Sequence, residues 1–235
     1  MTARAFDTFI FDLDGTLLDT LPDLTLLANR ILRDVSCPER TQAEILSFVG
    51  NGVRRLMYQA LPEGTPEDTA ERAMQIWNDH FQEYYEHTFP YPGIEDMLRE
   101  LRLRGVRIGV VSNKLQAGVD QIVSVKLPGM VDDMLGESPM VPRKPDPTGV
   151  NMMMQALGAA PDRTVYVGDS EGDMRAAHNA GLFAIAVAWG YNDPAGFAGE
   201  GALPDAVVEA PEELLAFAAA AQADPDMDGV IGADL

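Results

Sequence analysis

An α/β fold, in which a parallel sheet is covered by helices on both faces and carries an inserted helical subdomain, is what this sequence predicts. Three observations predict it. Strand-like and helical patterns alternate from Glu95 onward; the stretch from about Leu21 to His87 carries helical periodicity without a convincing strand; and four short polar stretches each follow or flank an apolar run. A chain of 235 residues is long enough for one large core, or for a main domain with a smaller insertion.

The first element is Phe6 to Phe11, a buried strand that delivers Asp12 and Asp14 into a Gly15-Thr16 turn. The helical region follows. Leu24, Leu27, Ala28, Ile31 and Leu32 mark one helix face, while Ile45, Phe48, Val49, Val53, Leu56 and Met57 suggest packing on both sides of Gly50-Asn51-Gly52. A third amphipathic segment runs from about Pro66 to Tyr85, and Phe89-Pro90-Tyr91-Pro92-Gly93 reads as the returning linker. Then come helix 95–104, strand 106–111, a helix from about Ala117, a short strand near Met134, helix 148–157, strand 164–167, helix 173–180, strand 182–188, strand 206–208 and helix 212–221. This Rossmann-like alternation divides the chain into an α/β core of residues 1–18 and 90–222, a helical insertion of residues 19–89, and a flexible acidic tail of residues 223–235. In such sheets ligands sit at the carboxyl ends of the strands, where Asp12, Ser112 and Asp169 all fall.

The formal charge of -20 and the lack of any Lys/Arg cluster argue against a nucleic-acid partner. The single cysteine, Cys37, permits no internal disulfide and reads as a small buried hydrophobe. The longest apolar run, Leu182 to Trp189, is too short to cross a bilayer, so no membrane partner and a cytoplasmic location are expected. Monomer and homodimer stay open. Asp224 to Ile231 fits the opening half of a calcium-binding loop, but the chain stops where the bidentate glutamate should be.

The chemistry is carried by the four polar stretches. Asp12 and Asp14 lie two apart, and two unpaired carboxylates on one face would repel strongly unless a cation meets them. Magnesium prefers oxygen ligands and takes a few carboxylates plus waters and substrate phosphate, so Asp12, Asp14, Asp169 and Asp173 are the candidate Mg2+ ligands. Asp169 is the direct ligand of choice, with Asp173 orienting a bound water or Lys144. The free oxygen of Asp12 could attack phosphorus and form an aspartyl-phosphate, while Asp14 protonates the leaving alkoxide and then activates water. The chain's lysines are Lys114, Lys126 and Lys144. Lys144, stiffened by prolines, could neutralise Asp12 and a phosphoryl oxygen, and Ser112 and Asn113 could donate hydrogen bonds to the same oxygens. Each stretch alone has a plain alternative as a turn or helix cap; the four together do not.

These residues resemble the haloacid dehalogenase (HAD) superfamily of aspartate-nucleophile phosphohydrolases. Asp12-Leu13-Asp14-Gly15-Thr16, Ser112, Lys144, and Gly168-Asp169 with Asp173 stand where that family's four motifs would, and the match covers nearly the whole chain. Phe48-Val49-Gly50-Asn51-Gly52, Pro92-Gly93 and Val111-Ser112-Asn113-Lys114 are similar to the phosphoglycolate phosphatase branch. The resemblance implies a HAD-like core, a helical cap closing over a small phosphorylated metabolite, and Mg-dependent hydrolysis of a phosphate monoester, with phosphoglycolate as first choice. Asp14 argues against dehalogenation. The stretch from Leu17 to Phe89 contains no lysine for a Schiff base, which removes phosphonate cleavage. Thr16, where mutases usually carry a bulkier residue, favours hydrolysis over a phosphosugar mutase.

Cap residues Gly50, Asn51 and Gly52 would approach the ligand closely. Arg54 and Arg55 could bind a carboxylate or second phosphate, with exposed helical arginines as the equal alternative. Trp189-Gly190-Tyr191-Asn192 resembles the corresponding segment of phosphoglycolate phosphatases and could border the site. The other readings are a phosphosugar mutase, a phosphatase acting on a sugar phosphate, nucleotide or pyrophosphate, and a non-catalytic binding module.

Overall fold

The computed structural model describes residues 5–50 and 52–220. Its centre is a six-stranded, all-parallel sheet in the order β5-β4-β1-β6-β7-β8. These strands are β1 (Thr8–Phe11), β4 (Arg107–Leu115), β5 (Asp133–Glu137), β6 (Thr164–Gly168), β7 (Phe183–Val187) and β8 (Ala206–Val208). Strand alternation sorts the side chains. Phe9 and Phe11, Val165 and Val167, and Ile185 and Val187 point into one buried layer with α5 (Ile94–Leu103) and α6 (Gln116–Lys126). Ile10, Tyr166, Ala184 and Ala186 point into the other, under α7 (Thr148–Ala156) and α8 (Glu171–Asn179). Strands buried on both faces read as continuous apolar runs, as these do.

Between β1 and α5 the chain builds a helical lobe from α1 (Leu21–Asp34), α2 (Gln42–Phe48), α3 (Val53–Ala60) and α4 (Glu67–His80). Each presents an apolar stripe to a shared cluster that includes Leu27, Ile31, Ile45, Met57, Ala73 and Trp77. Thr41 and Glu44 form a reciprocal cap at the start of α2. The lobe is entered through β2 (Leu18–Asp19) and left through β3 (Phe89–Pro90), which pair antiparallel. The segment expected to be a plain linker therefore includes a strand of the hinge.

Three further expectations change. Ser112, Asn113 and Lys114 lie inside β4, which continues past Val111 with a register shift against β5. The helix expected over 212–221 is a 3₁₀ segment, Pro211–Ala216, because the backbone beyond it is claimed by the chain's beginning: Phe6 donates to the Phe217 carbonyl at 2.8 Å and Ala219 donates to the Phe6 carbonyl at 2.8 Å. That pairing outweighs the helix propensity of an alanine-rich stretch. Cys37 is half-buried against the helical lobe rather than fully enclosed. No helix among the described residues is long and apolar enough to cross a membrane. The acidic tail and its partial calcium-loop pattern lie outside the described residues.

Candidate active site

β1 is flanked by β4 on one side and β6 on the other, so the strand order reverses around it and leaves a crevice at the carboxyl edge. Asp12 follows β1, Ser112 sits in β4, Asp169 follows β6, and Lys144 reaches in from the loop between β5 and α7. All four are buried. The Lys144 Nζ donates to Asp12 Oδ1 at 2.6 Å, to Asp173 Oδ1 at 2.6 Å and to the Tyr166 hydroxyl at 3.1 Å. Tyr166 Oη is 3.0 Å from the Val111 carbonyl, close enough to donate to it. Asp173 is held from its other side by the N-cap of α8: Ser170 donates to Asp173 Oδ2 from its hydroxyl at 2.6 Å and from its backbone N–H at 3.0 Å.

Asp12, Asp169 and Asp173 each offer a carboxylate oxygen within 4.8 Å of the others, the one buried group among the described residues suited to a metal ion. Burial pushes the Asp12 carboxyl up to about 7, Lys144 opposing the rise and Asp173 and Asp14 adding to it. Asp169 is driven well above its ordinary range by burial and by Asp173 and Asp12. Burial works against the charge of Lys144, yet Asp12 and Asp173 hold its pKa well above the usual value. Three buried carboxylates facing one ammonium are short of positive charge, and a divalent cation with oxygen ligands fits that deficit.

Asp14 stands apart from this group. Its carboxylate accepts from Lys114 Nζ at 3.0 and 3.1 Å and from the Thr20 hydroxyl at 2.6 Å, on the side facing the helical lobe. The repulsion between Asp12 and Asp14 is thus relieved by two separate lysines, and the Asp14 side chain is not among the clustered metal ligands. Other expectations shift for similar reasons. Thr16 is buried behind Asp169, its hydroxyl 3.4 Å from Asp169 Oδ1, and does not line the cavity. Asn113 spends its amide on the backbone: Oδ1 accepts from the Lys144 N–H at 2.8 Å and Nδ2 donates to the Gly50 carbonyl at 3.0 Å. It ties the Lys144 loop to the helical lobe. Ser112 accepts from the Lys114 N–H at 3.2 Å and keeps its own hydroxyl proton to donate.

Gly50 and Gly52 line the cavity; Asn51 lies outside the described residues. Arg54 and Arg55 are exposed and off the cavity wall, Arg54 being paired with Glu71 and stacked over Tyr58 at 5.0 Å. His87 lies in the segment after α4, with Nδ1 3.1 Å from Asp23 Oδ1.

Sequence reasoning named no role for Lys114, Tyr166 or Thr20, and for Gly15 only its place in a turn. The scarcity of lysine was a usable signal for the first, and a lone phenol inside an apolar central strand was one for the second. Gly15 (φ 85°) and Gly190 enclose Asp169: a Cβ at either would collide with its side chain. The Tyr191 N–H donates to Asp169 Oδ2 at 2.8 Å, and Trp189 Nε1 to the Thr16 carbonyl at 3.0 Å, which puts the Trp189–Asn192 segment against the site.

The family profile described as haloacid dehalogenase-like hydrolase matches residues 9–187. The chain belongs to this family. Among curated relatives of this hydrolase, the phosphoglycolate phosphatase of Pseudomonas putida (strain KT2440) is 34% identical over 189 residues, which is 78% of this chain and 70% of that protein. The phosphoglycolate phosphatase of Vibrio vulnificus (strain CMCP6) is 33% identical over 202 residues, 82% of this chain and 88% of that one. A solved structure of a candidate phosphoglycolate phosphatase from Lactobacillus delbrueckii subsp. bulgaricus superposes with a TM-score of 0.82 at 30% identity, over 90% of this chain and 97% of that one. The haloacid dehalogenase-like hydrolase described here is accordingly a phosphoric monoester hydrolase of the phosphoglycolate phosphatase-like branch.

Proposed function

We propose that the protein is a Mg2+-dependent phosphatase that hydrolyses a small phosphate monoester through a phosphoryl group carried briefly on Asp12. The observation that carries this reading is the short bond from Lys144 to Asp12 within a buried, cation-deficient carboxylate group. Asp12 and Asp169 would hold the ion, while Asp173 is engaged by Lys144 and Ser170. When bound, the ion supplies positive charge that offsets the negative charge of the phosphoryl oxygens.

One Asp12 oxygen attacks phosphorus, the bond from phosphorus to the ester oxygen breaks, and Asp14, entering the step in its protonated form rather than as the carboxylate paired with Lys114, gives its proton to the departing alkoxide. Asp14 then accepts a proton from water as that water attacks the aspartyl-phosphate, releasing phosphate and restoring Asp12. The Ser112 hydroxyl and Lys144 are suited to stabilising charge on the transferred group. The helical lobe acts as a cap that keeps bulk water from the intermediate. Phosphoglycolate, the substrate that names the curated relatives, is the first member of this class to test.

Asp12→Asn is expected to lower phosphate release at least about 10³-fold with unchanged circular dichroism, and chelation of divalent ions should stop the wild-type enzyme until Mg2+ is restored. Substantial turnover by Asp12→Asn would remove the nucleophile assignment, and full activity in chelator would remove the metal.

A further inference from the structure

The cavity above Asp12 has a volume of about 440 Å³, within the roughly 300–1,000 Å³ of sites that enclose drug-sized ligands. A phosphoryl group occupies only its floor. The helical lobe gives the rest of the wall an apolar side, Leu24 and Leu27 of α1, Val53 and Leu56 of α3, and Phe81 and Tyr84 beyond α4, while Ile122, Glu171, Arg175 and Asn192 of the core also line it.

The cations on the described wall are all engaged. Lys144 is held by Asp12 and Asp173, Lys114 by Asp14, and Arg175 by Glu171 at 2.8 Å. Arg143 contacts Gly52 but pairs with Glu137 at 2.7 Å and does not line the cavity. Asp23, by contrast, faces the cavity from α1 as a buried carboxylate, accepting from the Thr88 hydroxyl at 2.8 Å. A carboxylate on the substrate would lose its hydration here, meet another carboxylate and have to compete with Asp14 or Glu171 for a cation already paired. An alkyl or aryl group would instead displace water from apolar side chains.

We propose, resting on the phosphomonoesterase reading above, that this chamber selects phosphate monoesters whose leaving group is an uncharged apolar chain or ring, and disfavours carboxylated two-carbon phosphates.

Calorimetry on the full chain with Mg2+ reads the chamber without requiring turnover, using ethyl-, butyl- and hexylphosphonate with phosphonoacetate as the carboxylated comparison. Affinity is expected to rise about fourfold per added methylene, equivalent to ~0.8 kcal/mol per buried CH₂, with phosphonoacetate weaker than ethylphosphonate. A flat or falling series, or phosphonoacetate binding tightest, overturns the proposal. Val53→Lys, or Leu24→Lys on the facing helix, should reverse the order by adding a cation to the wall; folded variants of both that leave the order unchanged also overturn it.

Phosphate release from ethyl phosphate, hexyl phosphate and phosphoglycolate is followed separately. No hydrolysis of any of them, with the phosphonate series intact, would remove the phosphatase reading and leave the chamber's preference standing. Hydrolysis with phosphoglycolate preferred over hexyl phosphate would keep the phosphatase and overturn the chamber.

Discussion

Lys114 and Lys144 divide the work of two aspartates that sit two residues apart. Lys144 is enclosed with Asp12 and Asp173, whereas Lys114 approaches Asp14 from the lobe side together with Thr20. Replacing Lys114 with methionine removes the ammonium that fixes Asp14 while leaving Asp12 and its partners untouched. Because positioned proton transfer contributes about 10²–10⁴-fold, Lys114→Met is expected to lower kcat by about 10²-fold with a much smaller change in KM, measured by steady-state phosphate release. Asp12 and Asp169 were legible from sequence because each is a charged residue at the end of an apolar run, where burial requires a partner, and Lys144 and Asp173 because they stand in the short polar stretches that accompany such runs. Which lysine serves which aspartate was not legible. That depends on β4 carrying Ser112 to Leu115 onward as strand, and on the turn in which Gly15 donates to the Leu18 carbonyl at 2.9 Å.

At the scale of elements, the sheet is fastened at the end opposite the site. Asp7 accepts from Arg107 at the start of β4 at 2.9 Å, from Arg163 just before β6 at 2.6 Å, and from Thr8 at 3.0 Å. Burial alone would raise its pKa, but the hydrogen bonds from Arg163, Thr8 and Arg107 outweigh it and hold the carboxyl below 3.8. A lowered folded-state pKa stabilises the fold above the unfolded value, and that contribution is lost as pH falls through the folded one. Asp7→Asn should therefore cost up to about 1 kcal/mol at neutral pH, a figure discounted for partly exposed charges. The gap from wild type should close in acid. Urea unfolding at pH 7 and near pH 3 measures this, and phosphate release should be unchanged. On the other edge, Asn113 bridges the Lys144 loop and the Gly50 carbonyl. Asn113→Ala is expected to lower kcat/KM about tenfold by weakening lobe closure, roughly the value of one lost hydrogen bond, ~1 kcal/mol, plus disorder in the Lys144 loop. The alternation of strands and helices was readable from periodicity, since apolar runs and amphipathic stripes are local patterns. The 3₁₀ end at Pro211–Ala216 was not readable, because the backbone partner that decides it, Phe6, lies at the other end of the chain.

For the whole molecule, the fold class was visible because one long helical interruption and one long alternating stretch admit few layer arrangements. The shape and character of the cavity were not visible, since its wall combines residues of α1, α3 and the turn after α4 that only packing brings together. The antiparallel pairing of β2 with β3 has a larger consequence. The chain's outbound and homebound legs run side by side at one narrow neck, so everything between them is a cassette. Exchanging residues 21–88 for the equivalent span of a family member with another preference, which keeps Thr20 on Asp14, should transplant substrate choice and leave the phosphate-handling floor working. Turnover profiles of such a chimera across alkyl and carboxylated phosphates would follow the donor of the cassette.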